Sequence, residues 1–137
     1  MRWITMTVAM AMVLVWGVTT GVQARPTKRL DPGTQQCRVL DQGSLDWESE
    51  PWGMGGIKFR ELCQSCHASG NDKGLVFIQR ESRTSEGWNR VFANSSVKCA
   101  RDGSWDSLSQ EDRLLVNDYL YRNGSWTYNP NDADSCG

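Results

Sequence analysis

The sequence feature that constrains this chain most is a run of five residues, Cys63-Gln64-Ser65-Cys66-His67. Two cysteines three positions apart, followed directly by a histidine, form the attachment motif of a c-type haem. Each thiol can form a thioether with one vinyl group of the porphyrin, and the adjacent imidazole then binds the iron as its proximal ligand. His67 is the single histidine of the chain. The motif therefore predicts one covalent haem c, held by Cys63 and Cys66, with His67 on the iron.

A cysteine pair at this spacing also occurs in thiol redox sites, zinc sites and structural disulfides. A thioredoxin-like pair follows a strand and opens a helix of a βαβ unit, and the sequence shows no such pattern. Zinc needs four ligands, usually supplied as two spaced pairs, whereas the cysteines outside the motif are all single. Haem attachment is the interpretation that the sequence favours.

The first 24 residues have the organisation of a secretory signal peptide. Arg2 provides the positive charge, residues 8–18 are apolar, and Val22-Gln23-Ala24 fits a small-x-small cleavage site. The apolar run contains Gly17 and is shorter than the roughly 20 residues that a membrane span needs. We therefore expect cleavage after Ala24, a periplasmic or otherwise exported bacterial location, and no membrane span in the mature protein.

The remaining chain has the length of one small domain. We expect an irregular N-terminal arm over residues 25–50, followed by an all-α haem domain over residues 51–137 that ends in a polar tail. The whole sequence contains 15 Lys and Arg against 16 Asp and Glu, for a formal net charge of −1. Such a balance gives no support for binding to nucleic acid or to a membrane surface.

Three cysteines remain outside the motif, and spare cysteines of exported proteins tend to pair. Cys37 and Cys136 lie near the two ends of the mature chain, and Cys99 lies between them. We expect a Cys37–Cys136 disulfide, which on the chain-entropy view would stabilise the fold by about 4–5 kcal/mol. Pairing of Cys99 with either of the other two stays open.

Three helices are predicted around the motif. The first covers residues 51–62, with Pro51 in the first helical position, or else begins only at Ile57. The second covers residues 86–93 and is capped by Ser85. The apolar run at residues 75–78, between these two helices, is predicted to form a wall of the haem pocket.

The last helix has the clearest sequence signals. Ser109 is its expected N-cap, with Asp112 three residues later in a box-like arrangement. Apolar residues spaced four apart form one stripe. Gly124 is expected to end the helix in a left-handed conformation.

The order of these elements resembles the class I cytochrome c family. The residues that carry the resemblance are Gly56 and Phe59 before the motif, and Leu108 to Asp112 leading to Asp118-Tyr119-Leu120. Arg83-Thr84-Ser85-Glu86-Gly87-Trp88 also resembles a helix of monohaem modules in larger oxidoreductases. The resemblance implies that the first and last helices cross, at Gly55 or Gly56 with Phe59 against Tyr119 and Leu120. It further implies a carrier of single electrons between redox partners, alone or as an oxidoreductase subunit, and not an enzyme by itself.

The sequence departs from that family at two positions. No proline follows the motif until Pro130, so a carbonyl within residues 74–77 is expected to accept the hydrogen bond of the proximal imidazole. No methionine follows Met54, so the usual distal methionine is missing.

The distal ligand is therefore open. Cys99 lies about where the resemblance places the methionine and is the first candidate for the ligand, although a buried or disulfide-bonded cysteine is favoured over ligation. Less favoured candidates are Asn94, Lys98, Lys73 and Met54. Trp105 is the expected hydrogen-bond partner of a haem propionate.

Two other functions remain as alternatives. An open or Cys99-ligated iron would fit a haem enzyme or sensor that acts on a small gas or a sulfur compound. A weaker alternative is a haem-free binding module held together by disulfides.

Overall fold

The computed structural model describes residues 24–126, which form a mainly helical fold with a two-stranded antiparallel sheet. The elements are, in chain order, strands β1 (Lys28–Asp31) and β2 (Gln36–Val39), helices α1 (Gly43–Glu48) and α2 (Met54–Lys58), a π-helical segment (Phe59–Gln64), a 3-10 turn (Arg80–Ser82), and helices α3 (Ser85–Asn94), α4 (Lys98–Arg101) and α5 (Gln110–Asn123). Within these residues no helix is both long and apolar enough to cross a bilayer. The expected signal peptide lies almost entirely outside the described residues.

The fold is mainly helical, as predicted, but it is not purely all-α, and the prediction of an irregular arm over residues 25–50 is wrong. The arm forms the β1–β2 hairpin, in which Leu30 pairs with Cys37, and then helix α1. The hairpin turn is stabilised by Asp31, whose Oδ2 accepts hydrogen bonds from the backbone N and the hydroxyl of Thr34, both at 2.9 Å. An acidic side chain that bonds the backbone ahead of it is a frequent turn device.

Buried charges hold this arm against the helices. The Arg29 side chain is completely buried, and its Nε donates to Oδ1 of Asp118 on α5 at 2.9 Å. Arg38 donates to Oδ2 of the same carboxylate at 2.7 Å. Cys37, on strand β2, is exposed and forms no disulfide with another cysteine of residues 24–126. The ion pairs connect residues about 80 to 90 positions apart, which no local sequence pattern reveals.

The helix before the motif begins between its two predicted starting points. Residues 51–53 form a turn and α2 begins at Met54, so neither Pro51 nor Ile57 is its first residue. The helix continues as a π-helix to Gln64 and thereby includes Cys63. Short π-helical segments are frequently found at functional sites.

Helices α2 and α5 cross at Gly55, as the resemblance implied. A Cβ placed on Gly55 would lie 2.4 Å from the carbonyl oxygen of Leu115 and 2.8 Å from Cβ of Tyr119. The rings of Phe59 and Tyr119 meet one turn further along, with centroids 5.7 Å apart. The missing side chain of Gly55 thus allows the two backbones to approach.

Gly55→Ala is expected to lower the free energy of unfolding by about 1–3 kcal/mol, because the added methyl overlaps backbone that can move only with the whole helix. Gly33→Ala is the matched control, since a Cβ there meets only Asp31 Oδ2 at 3.4 Å. Urea denaturation of both variants measures the difference. Equal stability of the two variants would contradict a tight crossing at Gly55.

One of the three predicted helix ends is confirmed, and the other two differ from the prediction. Ser109 caps α5 as predicted, because its hydroxyl accepts from the backbone N of Asp112 at 3.0 Å. The cap of α3 is Thr84 and not Ser85, since the Thr84 hydroxyl accepts from the N of Gly87. Gly124 is extended, with φ −67°, and not left-handed. Its lack of a side chain instead permits a close approach to the backbone N of Ser85, 2.8 Å from an added Cβ.

The core lies where α3 and α5 meet the helix before the motif. Its fully buried apolar members are Phe59, Trp88, Val91, Val116, Tyr119 and Leu120. Packed against this core is a set of half-buried apolar side chains, which we call the outer shell: Cys63, Ile78, Phe92, Val97 and Trp105. The outer shell includes the first cysteine of the motif and is open to solvent in part.

Candidate functional site

The cysteine motif forms a tight turn at the end of the π-helical segment. The backbone N of Cys66 and the backbone N of His67 both donate to the carbonyl of Cys63, at 3.2 and 3.0 Å. Cys63, Cys66 and His67 are each half-buried. The helix thus ends on the three residues that the sequence analysis singled out, and the turn places them next to one another.

The imidazole of His67 is oriented by one backbone carbonyl. Its Nδ1 lies 2.8 Å from the carbonyl oxygen of Val76. A carbonyl oxygen can only accept, so Nδ1 carries the proton and donates it in this bond. In the neutral ring Nε2 is then left with a free lone pair. The sequence analysis expected such a carbonyl within residues 74–77, and this contact is confirmed.

The loop that supplies the carbonyl is tied to the motif at several points. The backbone N of Ile78 donates to the carbonyl of His67 at 3.2 Å, and Gln64 Nε2 donates to the carbonyl of Ile78 at 3.1 Å. Asn71 holds the loop on the other side, because its side chain bonds both the N and the carbonyl of Leu75, at 2.9 and 2.7 Å. This role of Asn71 was not predicted, although asparagine is a typical loop-forming residue.

Three apolar side chains of the loop that contacts His67 are exposed to solvent. Val76 is 78% exposed, and Leu75 and Phe77 are 40% and 44% exposed. Contiguous exposed apolar surface of this kind marks a site that a ligand or a partner covers. We call these three side chains, together with the outer shell, the apolar border. Their role as a pocket wall remains a prediction.

The thiol of Cys63 lies in an apolar setting. Burial, together with the nearby thiols of Cys99 and Cys66, raises its pKa to about 12. Cys66 has a different neighbour, since the Nζ of Lys73 lies 3.3 Å from its Sγ. Three thiols are therefore grouped at this end of the molecule, two from the motif and one from α4.

Cys99 lies on α4, a short helix that the sequence analysis did not predict. It is half-buried, and its thiol is near enough to Cys63 to act on that group electrostatically. Cys37, Cys63, Cys66 and Cys99 are all free thiols, so no disulfide occurs between residues 24 and 126. Cys37 and Cys99 are thus not paired with each other. The expected Cys37–Cys136 disulfide involves a residue outside the described part of the chain.

The other distal candidates have less suitable surroundings. Met54 is 41% exposed and borders a cavity of about 690 Å³ formed with Leu45 and Leu114. Lys98 and Asn94 are exposed, and Lys73 contacts Cys66. In residues 24–126 no three His, Cys, Asp or Glu side chains are grouped so that they could bind a metal ion by themselves.

Trp105 contacts Phe92 and Arg113, and one polar atom of Arg113 is buried without a partner. The Trp105 ring stacks on Phe92 with centroids 5.0 Å apart, and its carbonyl accepts from Nη2 of Arg113 at 2.8 Å. Nε of Arg113 is buried and unbonded. Buried polar atoms of this kind normally have a partner. A polar group of a bound molecule would supply one, which fits the expectation for Trp105 without testing it.

The residues present fit a covalently attached haem. Two thiols at the attachment spacing and an imidazole oriented through Nδ1 are the groups that would attach a haem and bind its iron. Comparison with protein families, with curated proteins and with solved structures found no match for this chain. The functional argument therefore rests on the residues themselves.

Proposed function

We propose that this protein is an exported monohaem c-type cytochrome, similar to class I, that carries single electrons between redox partners. The observation that carries the proposal is the hydrogen bond from His67 Nδ1 to the carbonyl of Val76. Histidines that bind metals commonly donate their second N–H in this way, which fixes the ring and increases the basicity of the ligating nitrogen. Here the arrangement occurs on the histidine that directly follows a Cys-x-x-Cys pair.

Each residue of the motif has a distinct part in the proposal. Cys63 and Cys66 would hold the porphyrin covalently through their thiols, as thioethers. His67 would bind the iron through Nε2. When bound, the haem takes up and releases one electron as its iron alternates between the ferrous and ferric states. The crossing of α2 and α5 at Gly55 supports the resemblance to class I cytochromes independently of the motif.

The apolar border would control the surroundings of the haem. Ile78, Phe92 and Trp105 are half-buried against the core and would exclude water from one side of a bound porphyrin. Lower solvent access changes the reduction potential of a buried iron. The protein would thus set the potential through burial and axial ligation, and its partners would be redox proteins or a larger oxidoreductase complex met through small interfaces. The signal-like residues 1–24 support a periplasmic location.

We further propose Cys99 as the distal ligand. Its thiol is half-buried and close to Cys63. Met54, in contrast, is the first residue of α2 and lies five residues before the start of the π-helical segment. A thiolate on the iron favours the ferric state and lowers the reduction potential relative to His/Met ligation.

A second candidate function is a haem enzyme or sensor that binds a small gas or a sulfur compound. The observation in its favour is that the only methionine within residues 24–126 is Met54, so the described part of the chain lacks a methionine after the motif. An iron without a strong sixth ligand would be open to such a molecule.

Spectroscopy of the mature protein, purified after export with a c-type maturation system, separates the two functions. A carrier is expected to show reversible one-electron reduction in a potentiometric titration and no spectral change when the ferrous protein meets carbon monoxide. Rapid carbon monoxide binding would contradict a six-coordinate carrier and favour the open site. Absence of haem from the purified protein would contradict both functions.

Cys99→Met is expected to replace thiolate ligation by thioether ligation. Electron paramagnetic resonance of the ferric protein should show a low-spin thiolate signal that is lost in the variant, and the reduction potential should rise. Cys37→Ser is the matched control, since that thiol is exposed and distant from the motif in the sequence. A spectrum unaffected by Cys99→Met would contradict the proposed ligand.

A further inference from the structure

A second, polar pocket of about 280 Å³ lies along the π-helical segment, and its lining does not include Cys63, Cys66 or His67. Its charged lining consists of Arg60, Arg80 and Glu81, and the buried Tyr119 forms its base. Gln64 also borders the pocket, but its amide donates to the carbonyl of Ile78. The guanidinium groups of Arg60 and Arg80 are therefore the main polar groups that line the pocket.

The two arginines line the same pocket as the Tyr119 side chain. Arg80 forms an ion pair with Glu81 and interacts electrostatically with the Tyr119 hydroxyl. Arg60 is close enough to Tyr119 to act on it electrostatically. Burial raises the pKa of Tyr119, while Arg80 and Arg60 act against that rise. A phenol with a raised pKa stays neutral near pH 7 and provides an O–H donor next to the guanidinium groups.

The guanidinium of Arg60 has N–H donors that make no hydrogen bond within residues 24–126. Among residues 24–126 its guanidinium makes one hydrogen bond, from Nη1 to the carbonyl of Pro51 at 2.8 Å. The side chains give the pocket two positive charges and one negative charge. Binding of a monoanion would therefore neutralise it. The planar fork of an arginine matches a planar carboxylate, with which it forms two parallel hydrogen bonds.

We propose that this pocket binds a small organic carboxylate, held by Arg60 and Arg80 with Tyr119 as an additional donor. The volume lies just below the usual range for ligand pockets and limits the ligand to a small molecule. Glu81 would repel a second negative charge, so a monocarboxylate fits better than a dicarboxylate or a phosphate. This site is independent of the proposed electron-transfer function.

The test is an NMR titration of the full mature protein with acetate, at constant ionic strength maintained with chloride. The side-chain Nε–H signals of Arg60 and Arg80 are expected to shift along a saturable curve, and acetamide, which lacks the charge, should leave them in place. In the Arg60→Gln and Arg80→Gln variants the Kd is expected to rise at least about tenfold, because each removes charge-assisted hydrogen bonds. Arg101→Gln, an exposed residue of α4 that does not line the pocket, should leave the Kd unchanged.

Three results would overturn the proposal: a linear response to acetate with no saturation, an equal response to acetamide, or unchanged affinity in both pocket variants. Arg60 is exposed and its loss leaves the core intact, so its variant stays informative even if Arg80→Gln folds poorly. None of these readouts requires a haem.

Discussion

Asp118→Ala is expected to lower the free energy of unfolding by about 3–5 kcal/mol, because it removes the buried carboxylate that pairs with both Arg29 and Arg38. Asp118 is fully buried and accepts from Arg29 at 2.9 Å and from Arg38 at 2.7 Å. Arg29 would keep its bonds to Asp31 and Asn89, at 2.8 and 2.9 Å. Those bonds retain the side chain in the interior, where its charge remains only partly compensated.

Chemical denaturation of the purified protein measures this loss. Asp46→Ala is the matched control, because Asp46 pairs with Arg122 at 2.9 Å while its own side chain is 55% exposed. Surface pairs of that kind contribute about 1 kcal/mol or less. Asp118→Asn serves if the alanine variant does not fold, since it preserves the shape and one acceptor oxygen and should give a smaller loss. Equal effects at Asp118 and Asp46 would contradict the account of how the arm is held.

His67→Ala is the second replacement with a large expected effect. If His67 is the proximal ligand, the variant should lose the low-spin spectrum of the ferric protein, since the chain contains no other histidine to replace it. The loop would also lose the bond from Nδ1 to Val76, which costs about 0.5–1.5 kcal/mol of stability.

Visible absorption and electron paramagnetic resonance record the expected change in the His67 variant. Ser69→Ala is a suitable control, because Ser69 is exposed and lies two residues from the motif. A variant with the parental low-spin spectrum would show that the iron has other ligands, and the bond to Val76 would then be a loop contact alone.

Local signals in the sequence predicted the parts of the fold that depend on neighbouring residues. The cap at Ser109 and the course of α5 depend on residues within a few positions of each other. The small residue at the helix crossing, Gly55, was predicted from the resemblance to class I cytochromes. The carbonyl that orients His67 was also predicted to within four residues, since a loop returning from the motif has few backbone groups within reach of the ring.

Other parts of the fold depend on contacts that local sequence patterns do not reveal. The arm looked irregular because its hairpin is stabilised by Asp118, which lies 89 residues from Arg29. Thr84 and Ser85 are comparable N-caps by type, and only the bond to Gly87 distinguishes them. The short helix around Cys99 has no periodicity to recognise over four residues. The pocket of Arg60 and Arg80 joins two separate segments whose contact the sequence does not show.

The most direct test of the central claim is the intact mass of the mature protein after export with a c-type maturation system. The account predicts a mass equal to the chain cleaved after Ala24 plus one haem, retained after denaturation. It predicts loss of that haem in the Cys63→Ser, Cys66→Ser double variant and its retention in Cys37→Ser. A denatured protein with the mass of the bare chain, under conditions that mature a known c-type cytochrome, would contradict it.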